Sequence, residues 1–158
     1  HRDLHLSIRR QRQMCIRDRH YGELISLFLI DLQRLFRLNI SINDLTYSQT
    51  LAIISIPDDG IEMSELAWTL GLDNSTVTRL VIRLEKKNWV ERKQSLRDQR
   101  AIKVFLTNKG DIIQHDIEKE IDNIGEKIKT EVEKDQNEAL LQSLSSFQWT
   151  LRKVFLKK

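Results

Sequence analysis

Residues 64–107, SELAWTLGLDNSTVTRLVIRLEKKNWVERKQSLRDQRAIKVFLT, constrain the fold more than any other stretch of the chain. A short apolar-periodic run over 63–70 stops at Gly71, and Asp73 or Asn74 then caps a helix over about 75–87. Asn88 follows, and Asn tolerates the left-handed conformation that ends helices. Residues 89–93 and 102–106 alternate like strands, with QSLRDQRA as the loop between them. Winding the 75–87 helix at about 100° per residue puts Val77, Leu80, Val81 and Leu84 on one side. Ser75, Arg79, Ile82, Arg83 and Lys86 fall on the other side. One side has a core to face, and the other offers cations to solvent.

That layout is a winged helix-turn-helix, and the charge distribution agrees with it. The formal charge of +3 divides unevenly. Residues 1–19 hold six Arg and two Asp, so the remainder is −1. Within that remainder, 74–103 hold nine Lys/Arg against three acids, which is +6, and the rest is −7. A basic island on an acidic body is the electrostatic footprint of a nucleic-acid site. The plainer alternative is a solvated charged face.

The flanks read as helices. One Pro and five Gly in 158 residues favour helix. Residues 20–41 form a first helix, apolar nearly all the way round from Leu24 to Phe36, so it is buried on more than one side. Thr46 or Ser48 starts a second helix running to about Ile56, and Pro57-Asp58-Asp59-Gly60 makes a turn. Thr107 caps a long fifth helix with an Ile113, Ile117, Ile121, Ile124, Ile128 stripe. A sixth, about 136–157, carries Leu140, Leu144, Phe147, Leu151 and Val154. Both stripes are heptad-like, and so small a winged domain cannot bury them fully. With the first helix they make a dimerisation unit; a monomeric helical core is the alternative. The expected fold is mainly α (α+β): a single domain over 20–158, with its winged core at about 45–107 and dimerisation helices at about 20–41 and 108–157. Residues 1–19 stand apart: RQRQMCIRDR resembles translated sequencing-adapter sequence, and the segment is read as an artefact or a disordered basic arm. A basic arm that follows the minor groove is the rival reading.

The exposed face of the 75–87 helix suits DNA. Guanidinium groups at Arg79 and Arg83 can fork onto guanine O6 and N7, with Lys86 beside them. Ser75 and Thr76 near the helix N-terminus can donate to phosphate or base edges, helped by the dipole, with Thr78 a turn beyond. Ile82 either packs beside the wing or touches a thymine methyl. At the wing tip, Arg97 or Arg100 can enter the narrow minor groove of A·T-rich DNA. Asp98 repels phosphate, so its use is to hold an Arg or cap the loop.

These residues carry a resemblance to the MarR family of winged-helix transcription regulators, running from about Tyr21 to Phe155. The carriers are Leu45-Thr46-x-x-Gln49, Glu65-Leu66-Ala67, Ser75-Thr76-Val77-Thr78-Arg79 and Leu84-Glu85-Lys86-Lys87. Asp98-x-Arg100-Ala101 and Leu106-Thr107-x-x-Gly110 complete the set. The resemblance implies a homodimeric repressor on pseudo-palindromic double-stranded DNA, relieved by a small aromatic or phenolic effector or by oxidation. It assigns the minor groove to Arg100, with Asp98 positioning it, and sets Arg79 on the recognition helix. Four residues depart from the pattern. Glu62 replaces a Ser/Thr cap, Asn88 a Gly, and Ile82 a polar residue, while Trp68 sits on the polar side of the third helix. Trp68 is a partner contact or a half-buried aromatic.

Other function classes find little support. Cys15 stands alone, which excludes an internal disulfide and fits a reducing cytoplasm. An oxidation-sensing repressor using Cys15 is an alternative reading. His20 and His115 belong to no cluster with ligand spacing, so no metal and no cofactor is expected. Glu118, Glu120, Asp122 and Glu126 lie on the polar sides of a helix without a nucleophile or phosphate loop, so no enzyme is expected. No apolar run approaches the ~20 residues of a membrane span. A winged-helix interaction module without DNA binding is the remaining rival.

Overall fold

A computed structural model describes residues 21–40, 42, 45–94 and 101–156. They divide into two compact units, one containing α1 (Tyr21–Asn39) and one running from Ile42. α1 buries none of its residues completely, and Leu24, Ile25, Leu29, Ile30 and Leu38 are exposed along it.

The second unit begins with α2 (Tyr47–Ile54). Thr46 caps it through a reciprocal box: its hydroxyl accepts from Gln49 N, and the Gln49 side chain accepts from Thr46 N at 3.0 Å. Pro57 O accepts from Gly60 N at 2.8 Å, closing the expected turn. β1 (Ile61–Glu62) follows, a two-residue strand that the sequence pattern did not reveal. Then come α3 (Met63–Leu70), α4 (Asn74–Lys86), β2 (Val90–Gln94), β3 (Ile102–Leu106), α5 (Asn108–Glu131) and α6 (Asn137–Leu156). The sheet is antiparallel in the order β1-β3-β2, with Ile61 opposite Val104 and Arg92 opposite Val104 from the other side.

The core lies where α2, α3, α4, α5 and the sheet meet. Ile53, Leu66, Val77, Val81, Leu84, Val104 and Ile117 are fully buried there. Each such side chain is worth about 1.5–3 kcal/mol of burial. Gln114 on α5 donates to Ile53 O at 2.8 Å and Ile56 O at 3.0 Å, satisfying carbonyls freed at the end of α2. The α5 stripe is graded: Ile117 and Ile124 are buried, while Ile128 is exposed. α6 buries no residue completely, and Leu144, Leu151 and Val154 of its stripe are exposed.

Candidate nucleic-acid interface

Local chemistry fixes α4 at both ends. α3 ends on Gly71 at φ 65°, with Leu72 N donating to Ala67 O and Gly71 N to Trp68 O. That backbone needs φ > 0, which glycine adopts without strain. Glu62, the residue before α3, makes no side-chain cap, so α3 depends on packing for its start. Asp73 caps α4: its Oδ1 accepts from Thr76 N at 2.9 Å. At the other end Asn88 takes φ 59°, and Trp89 N donates to Leu84 O. β2 then starts immediately, and α4 is held against the sheet.

The faces of α4 divide as the helical winding requires. Val77, Leu80, Val81 and Leu84 are buried. Ser75, Arg79, Arg83 and Lys86 are exposed; Thr76, Thr78 and Ile82 are half-buried. Thr78 Oγ1 donates back to Asn74 O at 2.7 Å. Together with Ser64, Asn74, Arg92 and Ile102, Thr78 lines a groove of about 300 Å³ between the N-terminus of α4 and the base of the wing. Ser64 was not among the sequence candidates and Asn74 was expected only as an alternative helix cap, although Asn74 and Thr78 stand at the i, i+4 spacing of one helix face. Arg97, Asp98 and Arg100 lie outside the described residues.

The structure adds a partner for the hydroxyls expected to meet phosphate. Ser75 Oγ donates to Asp73 Oδ1 at 2.5 Å, and Thr76 Oγ1 to Asp73 Oδ2 at 2.6 Å. Both protons are therefore committed to a carboxylate, and both oxygens remain acceptors. The Ser75 hydroxyl, the Thr76 hydroxyl and the Thr76 amide hold the Asp73 carboxyl far below the usual carboxylate range. Arg79 lies back along the helix, with Nε donating to Ser75 O at 3.3 Å and Nη2 to Ser75 Oγ at 3.2 Å.

The basic island is less uniform than its sequence. Arg92 forks onto Glu85, with Nε 2.9 Å from Oε1 and Nη2 2.8 Å from Oε2, tying β2 to α4. Lys93 pairs with Glu91, and Lys103 with Asp59. The Lys87 ammonium sits 4.5 Å above the Trp89 ring. Among the described residues, Arg83 and Lys86 have no acidic partner. Among the described residues of the island, the cations left facing outward without an acidic partner are those of α4.

A second concave feature lies elsewhere. Trp68, Leu70, Trp149, Arg152 and Phe155 line an apolar cavity of about 780 Å³ between α3 and the C-terminal part of α6. Trp68 is 70% exposed and meets Phe155 edge-on, at 6.3 Å and 74°. Among the described residues no cluster of His, Cys, Asp and Glu could hold a metal ion. No described helix is long and apolar enough to cross a membrane.

Comparison with known proteins gives the lineage. A sequence profile of the MarR family matches residues 45–102. The transcriptional regulator SarZ of Staphylococcus saprophyticus is 34% identical over 101 residues, 61% of this chain and 64% of that protein. The chain thus spans just under two thirds of that relative. SarZ of Staphylococcus haemolyticus is 30% identical, over 65% of this chain and 69% of its own length. Among solved structures, ligand-free Escherichia coli MarR superposes with a TM-score of 0.67 at 26% identity, covering 86% of this chain and 96% of that one. The chain belongs to the MarR family, whose members are regulators of transcription and not enzymes.

Proposed function

We propose that this chain represses transcription by binding a pseudo-palindromic operator as a homodimer, α4 lying in the major groove. One observation carries the reading. Arg79, Arg83 and Lys86 stand outward on one helix face at steps of four and three, while Arg92, Lys93 and Lys103 have acidic partners within the chain. Seven residues of helix rise about 10 Å, close to three base-pair steps, so the three cations can follow one groove segment. Arg97 and Arg100 in the wing serve the minor groove, Asp98 steadying Arg100. The reading implies a cytoplasmic protein.

Selection of bound duplexes from a random pool tests this. The expected product is a two-fold site with half-sites about one helical turn apart. Recovery of sequences with no shared motif overturns it. Arg100→Ala should lose most affinity on A·T-rich flanks.

The same reading includes modulation by a small aromatic or phenolic effector. The cavity at Trp68 supports it: its volume is in the range of small-ligand sites, its walls are aromatic, and Arg152 supplies one cation. A hydroxybenzoate entering there should quench tryptophan emission and release DNA. Release without quenching, or loss of neither with Trp68→Ala, removes the cavity from the reading.

A further inference from the structure

We infer that Asp73 is a positioning residue for Arg79, acting through the Ser75 hydroxyl to hold the guanidinium ready for a guanine; the inference rests on the DNA-binding reading above. Three bonds form a relay. Asp73 Oδ1 accepts the Ser75 proton at 2.5 Å, which turns the Ser75 lone pairs away from the carboxylate. Arg79 Nη2 then donates to that oxygen at 3.2 Å, and Arg79 Nε donates to Ser75 O at 3.3 Å. The carboxylate polarises the hydroxyl and makes Oγ the better acceptor.

The donor count explains the use. A guanidinium has five N–H groups. Two are engaged with Ser75. Three remain, and they include the Nη1–H and Nη2–H pair at the end of the side chain, the fork that matches guanine O6 and N7. The relay therefore fixes a long side chain without occupying its reading end. Ordering such a chain only on binding costs affinity, and a pre-ordered one avoids that cost. Asp73 also sets a negative charge where phosphates pass. It weakens indiscriminate attraction while sharpening base choice, so affinity and specificity should respond to it in opposite senses.

Competition binding on the full chain, with the operator and a variant changed at the guanine read by Arg79, tests the relay. Ser75→Ala and Asp73→Ala should each lower discrimination at that base about two- to tenfold, the range expected for freeing one side chain. Neither should lower it further in an Arg79→Ala background. Asp73→Asn keeps the oxygen that serves Ser75 and the Thr76 amide, so it should retain discrimination while raising affinity for random duplex; it also separates the relay from simple loss of the helix cap. Without DNA, ¹⁵N relaxation at Arg79 Nε should show an ordered group that loosens in Ser75→Ala. Losses equal on all sequences and additive with Arg79→Ala would make Ser75 a plain phosphate contact and overturn the relay. An Arg79 Nε equally mobile in both proteins overturns it too. Absence of any sequence preference in the unaltered chain ends the DNA reading instead, and the relaxation measurement still decides the relay.

Discussion

No side chain fits at position 110. A Cβ on Gly110 would stand 1.9 Å from Trp89 O, and that carbonyl is already held by Thr107 N at 3.1 Å. Thr107 Oγ1 also donates to Asn88 O and accepts from Gly110 N, so the start of α5 is locked to the end of α4 at one point. Gly110→Ala must push α5 away from backbone, which does not yield as a flexible side chain would. The expected loss is roughly 1–3 kcal/mol, read as a lowered denaturant midpoint with unchanged slope. Asp73 gives a second expectation at this scale. Its folded-state carboxyl titrates below the ordinary 3.8, so its stabilising bonds are present above that pH and are lost as the pH falls through the folded value. The stability gap between the unaltered chain and Asp73→Ala should stay constant from pH 7 to about pH 4 and close only in stronger acid. A gap closing between pH 6 and 5 would contradict the assignment. The cap at Thr107 was legible in the sequence, and those at Thr46 and Asp73 were narrowed to two candidates each, because a cap is decided within four residues. The capture of the Ser75 and Thr76 protons by Asp73 was not, because it depends on rotamers.

At the scale of the element, α4 and the sheet share out the basic charge. Sequence shows nine cations in one stretch; the fold decides which are free. Glu85 reaches Arg92 across seven residues, and Asp59 reaches Lys103 across 44. Neither pair has a local signature, and neither does β1, whose two residues become a strand only by pairing with β3. The helices and the wing strands, by contrast, follow from periods of 3.6 and 2 that need no partner. Wing residues 97–100 lie outside the described residues, so their assignment still rests on the sequence. The division among cations is testable by alanine substitution. Arg79→Ala and Arg83→Ala should each weaken operator binding by roughly 1–3 kcal/mol where bidentate to guanine, with the loss concentrated on the matched sequence. Arg92→Ala should act mainly through the loosened α4–β2 contact and should not discriminate between sequences. Equal, sequence-selective losses at all three would show that the Glu85 fork opens on DNA. Binding should also fall linearly in log K against log salt, at about −0.9 per phosphate neutralised.

For the whole molecule, the question is what covers the apolar surface. In α6, Leu141, Leu144, Trp149, Val154, Phe155 and Leu156 are 41–81% exposed, and α1 independently exposes Ile25, Leu29 and Ile30 at 44–64%. Apolar exposure on this scale marks an interaction surface. On the proposed two-fold operator a second copy is the expected cover, because such a site calls for a two-fold reader. Leu144→Asp and Leu151→Asp each set a charge in the α6 stripe, far in sequence from α4. Burying that charge between two copies is unfavourable, so sedimentation should show a monomer at micromolar concentration. The core residues Leu66, Val77, Leu84 and Ile117 remain untouched, so circular dichroism should still report the helices. The consequence for DNA follows from linkage of two readers. Two half-site contacts joined in one particle gain about 10²–10⁴ over either alone. The monomeric variants should lose about that much on the full operator and almost nothing on an isolated half-site. A dimer that persists in both variants would move the interface off α6. A monomer that still binds the full operator tightly would mean that one copy reads the site alone, and the two-fold reading would fall.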